Sequence, residues 1–155
     1  MKEKLDSYDL NILTILQEEG RITNAELARR VGLSPPSVLQ RVRKLEEREF
    51  IQGYTAILNE QALGFNFTVL TMVSLSLHQG PPIESFVNQV MELEEVQACF
   101  HVSGDYDFLL KVVAKDMEAY ENFIREKLGV ITGVAKIQSS FVLATKKDTR
   151  DLPLN

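Results

Sequence analysis

Apolar residues recur at two different spacings along the chain, a helical one before about residue 48 and a strand-like one after Phe67. Between Leu5 and Glu19 they fall every three or four residues, which predicts an amphipathic helix that Asp6 or Ser7 caps and Gly20 ends. The apolar face of this helix consists of Leu10, Leu13 and Leu16, with Ile12 beside them. A helix with one apolar face needs partners, so further helices should complete its core.

The stretch from Thr23 to Arg48 predicts two such partners joined by a tight turn. Thr23 and Glu26 form a capping box at the start of the first helix, and Gly32 sits where that helix must stop. Ser34 then caps the second helix, whose first turn tolerates Pro35 because that position has no backbone donor to lose. The residues that should face the core are Leu27, Ala28, Val31, Val38, Val42 and Leu45.

The opposite face of the second helix carries side chains of the kinds that contact DNA. Ser37 and Gln40 can reach base edges, whereas arginine and lysine suit phosphates. The candidate DNA-binding residues are Ser34, Pro36, Ser37, Gln40, Arg41, Arg43 and Lys44, and Arg21, Arg29 and Arg30 could extend the phosphate track. The pattern predicts a helix-turn-helix whose second helix reads double-stranded DNA, although a helical hairpin with a solvated charged face remains the alternative.

The rest of the chain predicts a second domain of mixed strands and helices. Residues 50–58 read as a strand leaving the first domain (1–58), and residues 59–66 as a linker. Predicted strands then cover 67–77, 96–102, 108–114 and 134–145, with helices at 83–91 and after Asp116. The order βαββαβ over residues 67–155 is a ferredoxin-like split βαβ unit, so the fold class is α+β. Two helices cover only one sheet face, and a second subunit should cover the other.

Charge and composition narrow the function. The net charge is −5, but residues 1–55 hold nine basic and nine acidic residues, leaving eight of 17 basic and 13 of 22 acidic residues to the remainder. A neutral DNA-binding domain binds weakly alone, which predicts an oligomer. The single cysteine and two histidines (His78 and His101) offer no metal cluster, and no cofactor is expected. With no apolar run that could span a membrane and no secretory signal, we expect a cytoplasmic protein.

Several motifs together resemble the leucine-responsive/asparagine-responsive regulator (Lrp/AsnC) family. In the first domain they are Leu33-Ser34-Pro35, Arg41-Val42-Arg43-Lys44-Leu45-Glu46 and Ile51-Gln52-Gly53-Tyr54; in the second they are Ser103 to Leu110, Lys147-Asp148-Thr149 and Leu152-Pro153-Leu154. One departure is Glu49, where the family usually has glycine. The resemblance implies a transcription regulator with a winged-helix-like N-terminal domain that dimerises through its C-terminal domain, often forms an octamer (a tetramer of dimers), and binds an amino acid between dimers.

The same resemblance implies effector contacts at Gly104, Asp105, Tyr106, Asp107, Gln138 and Ser139. By its residues alone, the Gly104–Asp107 stretch reads as a plain tight turn. As a site, Asp107 or Asp105 would pair the ligand's α-ammonium group, and amides or hydroxyls its carboxylate. Ile137, where relatives tend to have a small polar residue, favours an apolar amino acid of the leucine, isoleucine, valine or methionine class.

Three other functions fit the sequence less well. Asp105 and Asp107 are paired carboxylates, but no nucleophile–base pair or phosphate-binding loop accompanies them, so we do not expect an enzyme. An architectural DNA-binding protein without an effector is the main alternative. A metabolite-sensing module that regulates an enzyme by contact is another, but it leaves the first 55 residues without a purpose.

Overall fold

The computed structural model describes residues 4–76 and 81–154, which fall into two units. One unit contains the chain up to Ile57 together with the segment that begins at Lys147, and the other contains Leu58–Lys146. The division predicted from the sequence had instead assigned the C-terminal segment to the second domain. His78 and residue 77, the end of the first predicted strand, lie outside the described residues.

Three helices build the first unit: α1 (Ser7–Glu18), α2 (Asn24–Val31) and α3 (Pro35–Glu47). Each follows a capping residue whose side chain accepts a backbone N–H from the first turn. These caps are Asp6, one of the two candidates in the sequence, and the predicted Thr23 and Ser34. The turn between α2 and α3 passes through Gly32 at φ 75°, a left-handed conformation that glycine adopts without a steric penalty. The helix-turn-helix is therefore built from local signals in the sequence.

Two details of these helices differ from the prediction. Thr23 accepts the N–H of Glu26, but the Glu26 carboxylate bonds Arg29 and Arg30 instead of returning to the cap; the complete capping box is at Asp6 and Asp9. On α1, Ile12 is fully buried, whereas the three leucines chosen for its apolar face are only partly buried. The core of the unit consists of Ile12, Leu27, Ala28, Val31, Val38, Val42 and Leu45.

The end of α3 is held in an uncommon backbone conformation. Glu49 has φ 60°, and it is the position where the resemblance led us to expect glycine. The N–H of Glu49 donates to the Glu46 carbonyl and that of Phe50 to the Leu45 carbonyl, both at 2.9 Å. The helix thus ends in a left-handed turn although a side chain is present there.

The strand predicted at residues 50–58 is absent, because the described residues offer no neighbouring strand with which its backbone could form a ladder. Tyr54 and Ile57 stay 53% and 95% exposed. In place of the predicted linker, a short 3₁₀ helix covers Gln61–Leu63 before the first strand of the second unit.

The second unit confirms the predicted βαββαβ order. Its elements are β1 (Phe67–Leu75), α4 (Pro81–Met91), β2 (Val96–His101), β3 (Phe108–Ala114), α5 (Met117–Asn122) and β4 (Val134–Phe141). The strands form one antiparallel sheet in the order β2-β3-β1-β4. The last strand ends at Phe141 rather than Thr145, because Phe141 pairs with Val69 and β1 begins only two residues earlier.

The helix predicted after Asp116 begins as α5 but ends as a π-helix. Residues Phe123–Leu128 form a π-helix, and Gly129 donates its N–H to the carbonyl of Ile124 at 2.8 Å. A Cβ at position 129 would lie 2.6 Å from that same oxygen, so only glycine fits here. Tyr120, Phe123 and Leu128 are buried against the sheet as predicted.

The two faces of the sheet differ in what covers them. One face packs under the helices and forms the core with Val69, Val73, Leu110 and Val112, all fully buried. The other face carries Leu70 and Phe100, which are 38% and 55% exposed. Among the described residues, no helix is long and apolar enough to cross a membrane.

The turn at Glu49 leads to a first prediction. The left-handed conformation costs an L-residue roughly 1–2 kcal/mol, part of which glycine would lose again through its larger unfolded-state entropy. Glu49→Gly should therefore raise the free energy of unfolding by about 0.5–1 kcal/mol in urea denaturation. Glu47→Gly, inside α3, should lower it by a similar amount. A loss of stability in Glu49→Gly would contradict the prediction.

Candidate functional site

The face of α3 turned away from the core exposes five of the seven candidate DNA-binding residues. They are Pro36, Ser37, Gln40, Arg43 and Lys44, which we call the reading face. Their spacing places them together on the side of the helix opposite the buried stripe of Val38, Val42 and Leu45. The structure thus places these five candidate side chains together on one exposed face of α3.

Ser34 has a different role from its neighbours on the reading face. Its hydroxyl accepts the N–H of Ser37 at 3.4 Å and donates to the Ser37 hydroxyl at 3.0 Å. The side chain thereby caps α3 and positions Ser37. Within the part of the chain that the structure describes, Gln40, Arg43 and Lys44 have no side-chain bonding partner, which leaves them available to DNA.

Arg41 does not lie on the reading face. It follows Val38 by three residues and precedes Leu45 by four, so it flanks the buried stripe and points to α1. Its Nη1 donates to Oδ2 of Asp6 at 2.8 Å and to Oδ1 of Asp9 at 2.7 Å. The expected phosphate contact of Arg41 does not fit this geometry, because its guanidinium joins α3 to the start of α1.

The surroundings of Arg41 favour its charged form. The guanidinium carbon lies 5.4 Å from the centre of the Tyr8 ring, within range of a cation–π interaction. Hydrogen bonds from the side chain to Asp9 and Asp6 raise the pKa of Arg41 above its ordinary value. The pKa of Asp6 is lowered, mainly because its carboxylate accepts the backbone N–H of Asp9.

The arginines of α2 are also paired with carboxylates. Arg29 bonds Glu26 through Nη2 at 2.6 Å and Nε at 2.9 Å, and Arg30 bonds Glu19 at 2.5 and 3.0 Å. Hydrogen bonds from Arg29 and Arg30 lower the pKa of Glu26 to about 2. The i,i+3 and i,i+4 spacing from Glu26 was visible in the sequence and could have predicted these pairs. The extended phosphate track therefore retains little positive charge on α2.

The second candidate site is the loop between β2 and β3, Gly104–Asp107. Gly104 has φ 122°, so the turn itself requires glycine. Asp107 anchors the loop to β1: its N–H donates to the Val73 carbonyl at 2.9 Å, and its carboxylate accepts the Leu75 N–H at 2.7 Å. Asp107 is therefore used in holding the loop on the sheet.

Asp105 differs from Asp107 in both exposure and bonding. Its backbone carbonyl accepts the Ser74 hydroxyl at 3.2 Å, which holds the residue against the end of β1. The side chain is exposed, and none of the residues in 4–76 and 81–154 bonds its carboxylate. Of the two carboxylates between which the sequence could not choose, Asp105 is the one available to a ligand's ammonium group.

Tyr106 reaches across the open face of the sheet to β4. Its hydroxyl donates to Oε1 of Gln138, and the Lys136 ammonium lies 5.0 Å from the ring centre. Strand pairing places Gln138 at the end of a row that also holds Phe100, Leu109 and Met72. The predicted pairing of the loop with the last strand is thus present at Gln138.

Ser139 is not part of this site. Neighbouring residues of a strand face opposite sides, so Ser139 points under the helices, where its hydroxyl lies 2.5 Å from that of Tyr120. Tyr120 also bonds the buried Thr71 at 2.9 Å. An open groove of about 400 Å³ lies beside them, lined by Met117, Tyr120, Glu121, Ile124, Arg125, Ser139 and Phe141. The strand period alone could have separated Ser139 from Gln138.

No metal site is evident in residues 4–76 and 81–154, where no three His, Cys, Asp or Glu side chains come together. The ring of His101 stacks on Phe108 with 5.0 Å between the centres. Cys99 is partly buried, and this burial raises the pKa of its thiol.

Two family models match the chain, one over the three helices and the other over the sheet unit and the start of the C-terminal segment. A winged helix-turn-helix DNA-binding model matches residues 5–52, and the Lrp/AsnC ligand binding domain model matches residues 68–152. The leucine-responsive regulatory proteins of Klebsiella pneumoniae and Escherichia coli K12 are each 45% identical to this chain over 150 residues, which cover 96% of it and 90% of each relative.

Solved structures of similar proteins have the same fold throughout. A transcriptional regulator from Neisseria meningitidis in complex with L-methionine is 38% identical, with a TM-score of 0.94 and coverage of 98% of both chains. A feast or famine regulatory protein from M. tuberculosis complexed with L-methionine is 30% identical, with a TM-score of 0.88 and coverage of 96% of this chain and 99% of that one.

The position of Arg41 leads to a second prediction. In a double-mutant cycle of Arg41→Met with Asp9→Asn, the coupling in unfolding free energy should be about 1 kcal/mol, because the bonds are charge-assisted but partly exposed. The side chains of Arg41 and Asp9 are 30% and 14% exposed.

The matched control is the pair Arg29 and Glu26, whose side chains are 72% and 36% exposed. A cycle of Arg29→Met with Glu26→Gln should show a clearly smaller coupling that salt reduces further. Equal coupling in the two cycles would argue against a structural role for Arg41.

Proposed function

The chain belongs to the Lrp/AsnC family of transcription regulators, and from this we propose that it binds specific DNA sites and senses an apolar amino acid. It is a DNA-binding regulator with a ligand-binding domain, and not an enzyme. The observation that carries the proposal is that one chain exposes both the reading face on α3 and the carboxylate of Asp105. Asp105 lies in the Gly104–Asp107 loop, which we call the effector loop.

We assign the DNA contacts to the reading face. Ser37 and Gln40 would meet base edges in the major groove, while Arg43 and Lys44 would bind phosphates. Arg41 would act as a positioning residue, because its bonds to Asp6 and Asp9 fix the orientation of α3 where it packs on α1. Ser34 would act in the same way through Ser37.

We also propose that the active form is an oligomer. Because Arg29 and Arg30 on α2 are paired with carboxylates, the DNA-binding unit has a low net charge. Such a unit binds DNA with useful affinity only when several copies act together. The open sheet face, with Leu70 and Phe100 exposed, supports pairing with a second copy. A dimer would place two reading helices about one DNA turn apart, and an octamer would bend deformable, AT-rich sites.

The effector is proposed to bind at the Gly104–Asp107 loop. Asp105 would pair the α-ammonium group, and the hydroxyl of Tyr106 with the amide of Gln138 would lie near the carboxylate. Phe100, Leu109 and Met72, the apolar row that leads to Gln138, favour an amino acid with an apolar side chain. The structures of two similar proteins contain L-methionine. The ligand would change DNA binding only through a difference in its affinity for the two functional states.

Removal of both reading-face charges tests the DNA contacts. Arg43→Gln with Lys44→Gln should weaken binding to duplexes selected from a random library by the unaltered protein. It should also reduce the slope of log affinity against log salt by roughly two per reading helix, at about 0.9 per lost phosphate contact. The measurement is fluorescence anisotropy at several salt concentrations.

A control with the same change in net charge separates contact from bulk charge. Arg125→Gln with Lys127→Gln removes two exposed charges from the second unit and should leave the salt slope unchanged. If the two double variants lose equal affinity, the reading face is not the DNA-binding surface.

Calorimetry tests the effector site. L-leucine or L-methionine should bind the unaltered protein, and Asp105→Asn should weaken that binding by about tenfold or more, since a charge-assisted bond is lost. Glu92→Gln, which removes an exposed carboxylate from another part of the unit, should bind as before. Tighter binding of aspartate or lysine than of leucine would refute an apolar effector. Light scattering with each of the twenty amino acids would report any accompanying change in assembly.

A further inference from the structure

The C-terminal segment, from Lys147 onward, lies against the last turns of α1. Nε2 of Gln17 donates to the Leu152 carbonyl at 2.9 Å, and the Leu152 N–H donates to Oε1 of Gln17 at 3.0 Å. One side-chain amide therefore satisfies both backbone groups of a residue 135 positions away. This is how a neighbouring strand would hold a peptide, and it depends on the backbone of the segment rather than on its side chains.

The rest of the contact is open and polar. A groove of about 590 Å³ runs between α1 and the segment, lined by Thr14, Gln17, Glu18, Lys147, Thr149, Asp151, Leu152, Pro153 and Leu154. The N–H of Asp151 donates to the Thr149 hydroxyl at 3.1 Å, which forms a local turn just before Leu152. Leu152 is 65% exposed and Leu154 is partly buried. An attachment with so little apolar burial is weak, and a weak attachment can open and close.

The opposite end of the same helix holds the reading helix. Asp6 and Asp9 bond Arg41, and Gln17 follows Asp9 by eight residues, about 12 Å along a single α-helix. A helix of this length behaves as one stiff element. Whatever displaces its last turn also displaces the carboxylates that position α3.

The C-terminal segment follows β4, the strand that carries Gln138, after a short connection. Gln138 on β4 accepts the bond from Tyr106 of the effector loop, β4 ends at Phe141, and the segment begins at Lys147. Only residues 142–146, which form no helix or strand, separate them along the chain. A change in the strand at the loop is therefore transmitted by a short covalent connection.

We propose that the C-terminal segment is a reversible strap that docks on Gln17 of α1 and couples amino-acid binding at the effector loop to DNA binding by α3. The proposal rests on the proposed function and adds the route between its two sites. The strap has a docked and an undocked state, and the amino acid acts by binding one of them more tightly.

Two variants remove the docking by different means. Deletion of residues 151–155 removes Leu152, and Gln17→Leu removes both bonds while keeping the shape of the side chain similar. Gln52→Leu is the matched control, since Gln52 is an exposed glutamine of the same unit with no bonding partner within the described residues. Each variant is compared with the full-length protein in three measurements: amino-acid affinity by calorimetry, DNA affinity with and without L-leucine or L-methionine, and amide hydrogen exchange.

The expected pattern separates the strap from both binding sites. Because the amino acid binds one of the two states more tightly, both docking variants should still bind it but with an affinity changed severalfold, and the change in DNA affinity on adding the amino acid should shrink to less than about twofold. Exchange of the amides in the last turns of α1 should become faster by about tenfold or more. Gln52→Leu should match the unaltered protein in all three measurements.

Two outcomes would overturn the proposal. A full DNA response to the amino acid in both docking variants would show that the strap carries no coupling, and unchanged exchange in α1 would show that it does not dock. If the unaltered protein binds DNA but no amino acid, the sensing part of the proposed function fails and the coupling fails with it. Hydrogen exchange would then still decide separately whether the segment docks on α1.

Discussion

The bonds of Arg41 to Asp6 and Asp9 determine where the reading helix lies on α1. The three apolar stripes of the first unit would allow some rotation of α3, but a guanidinium held by two carboxylates fixes one orientation. That orientation turns Gln40, Arg43 and Lys44 outward. The exposure of the reading face therefore depends on an ion pair between α3 and α1 that lies outside that face.

The alternation of side chains along β4 imposes a similar constraint on the second unit. Gln138 faces the open side of the sheet and meets Tyr106, while Ser139 faces the helices and meets Tyr120. With two adjacent residues, one strand thus supports the contact with Tyr106 on the open face and a hydroxyl network on the helix-covered face. A shift of one residue in its pairing with β1 would exchange the two and destroy both.

Features set by neighbours in the sequence were predictable, and those set by distant residues were not. The cap at Ser34, the cap at Asp6 (one of two candidates), the turn at Gly32 and the element order βαββαβ depend on local spacing, and all were found. Arg41 meets carboxylates more than 30 positions away. The stretch at 50–58 has the composition of a strand but no described partner, and the C-terminal segment docks on α1 through backbone atoms, which composition does not reveal. In the candidate site, the turn residues were found, but the choice of Asp105 over Asp107 required their bonding partners.

The pairing of Arg29, Arg30 and Arg41 with carboxylates has a consequence for how the regulator searches a genome. A DNA-binding unit whose arginines are already paired would release few counterions when it binds random DNA. Its complexes with non-target DNA would therefore be short-lived. Occupancy of a target depends on the ratio of specific to random binding multiplied by the vast excess of random sites. Low background binding of this kind would leave a larger share of the molecules free to occupy target sites.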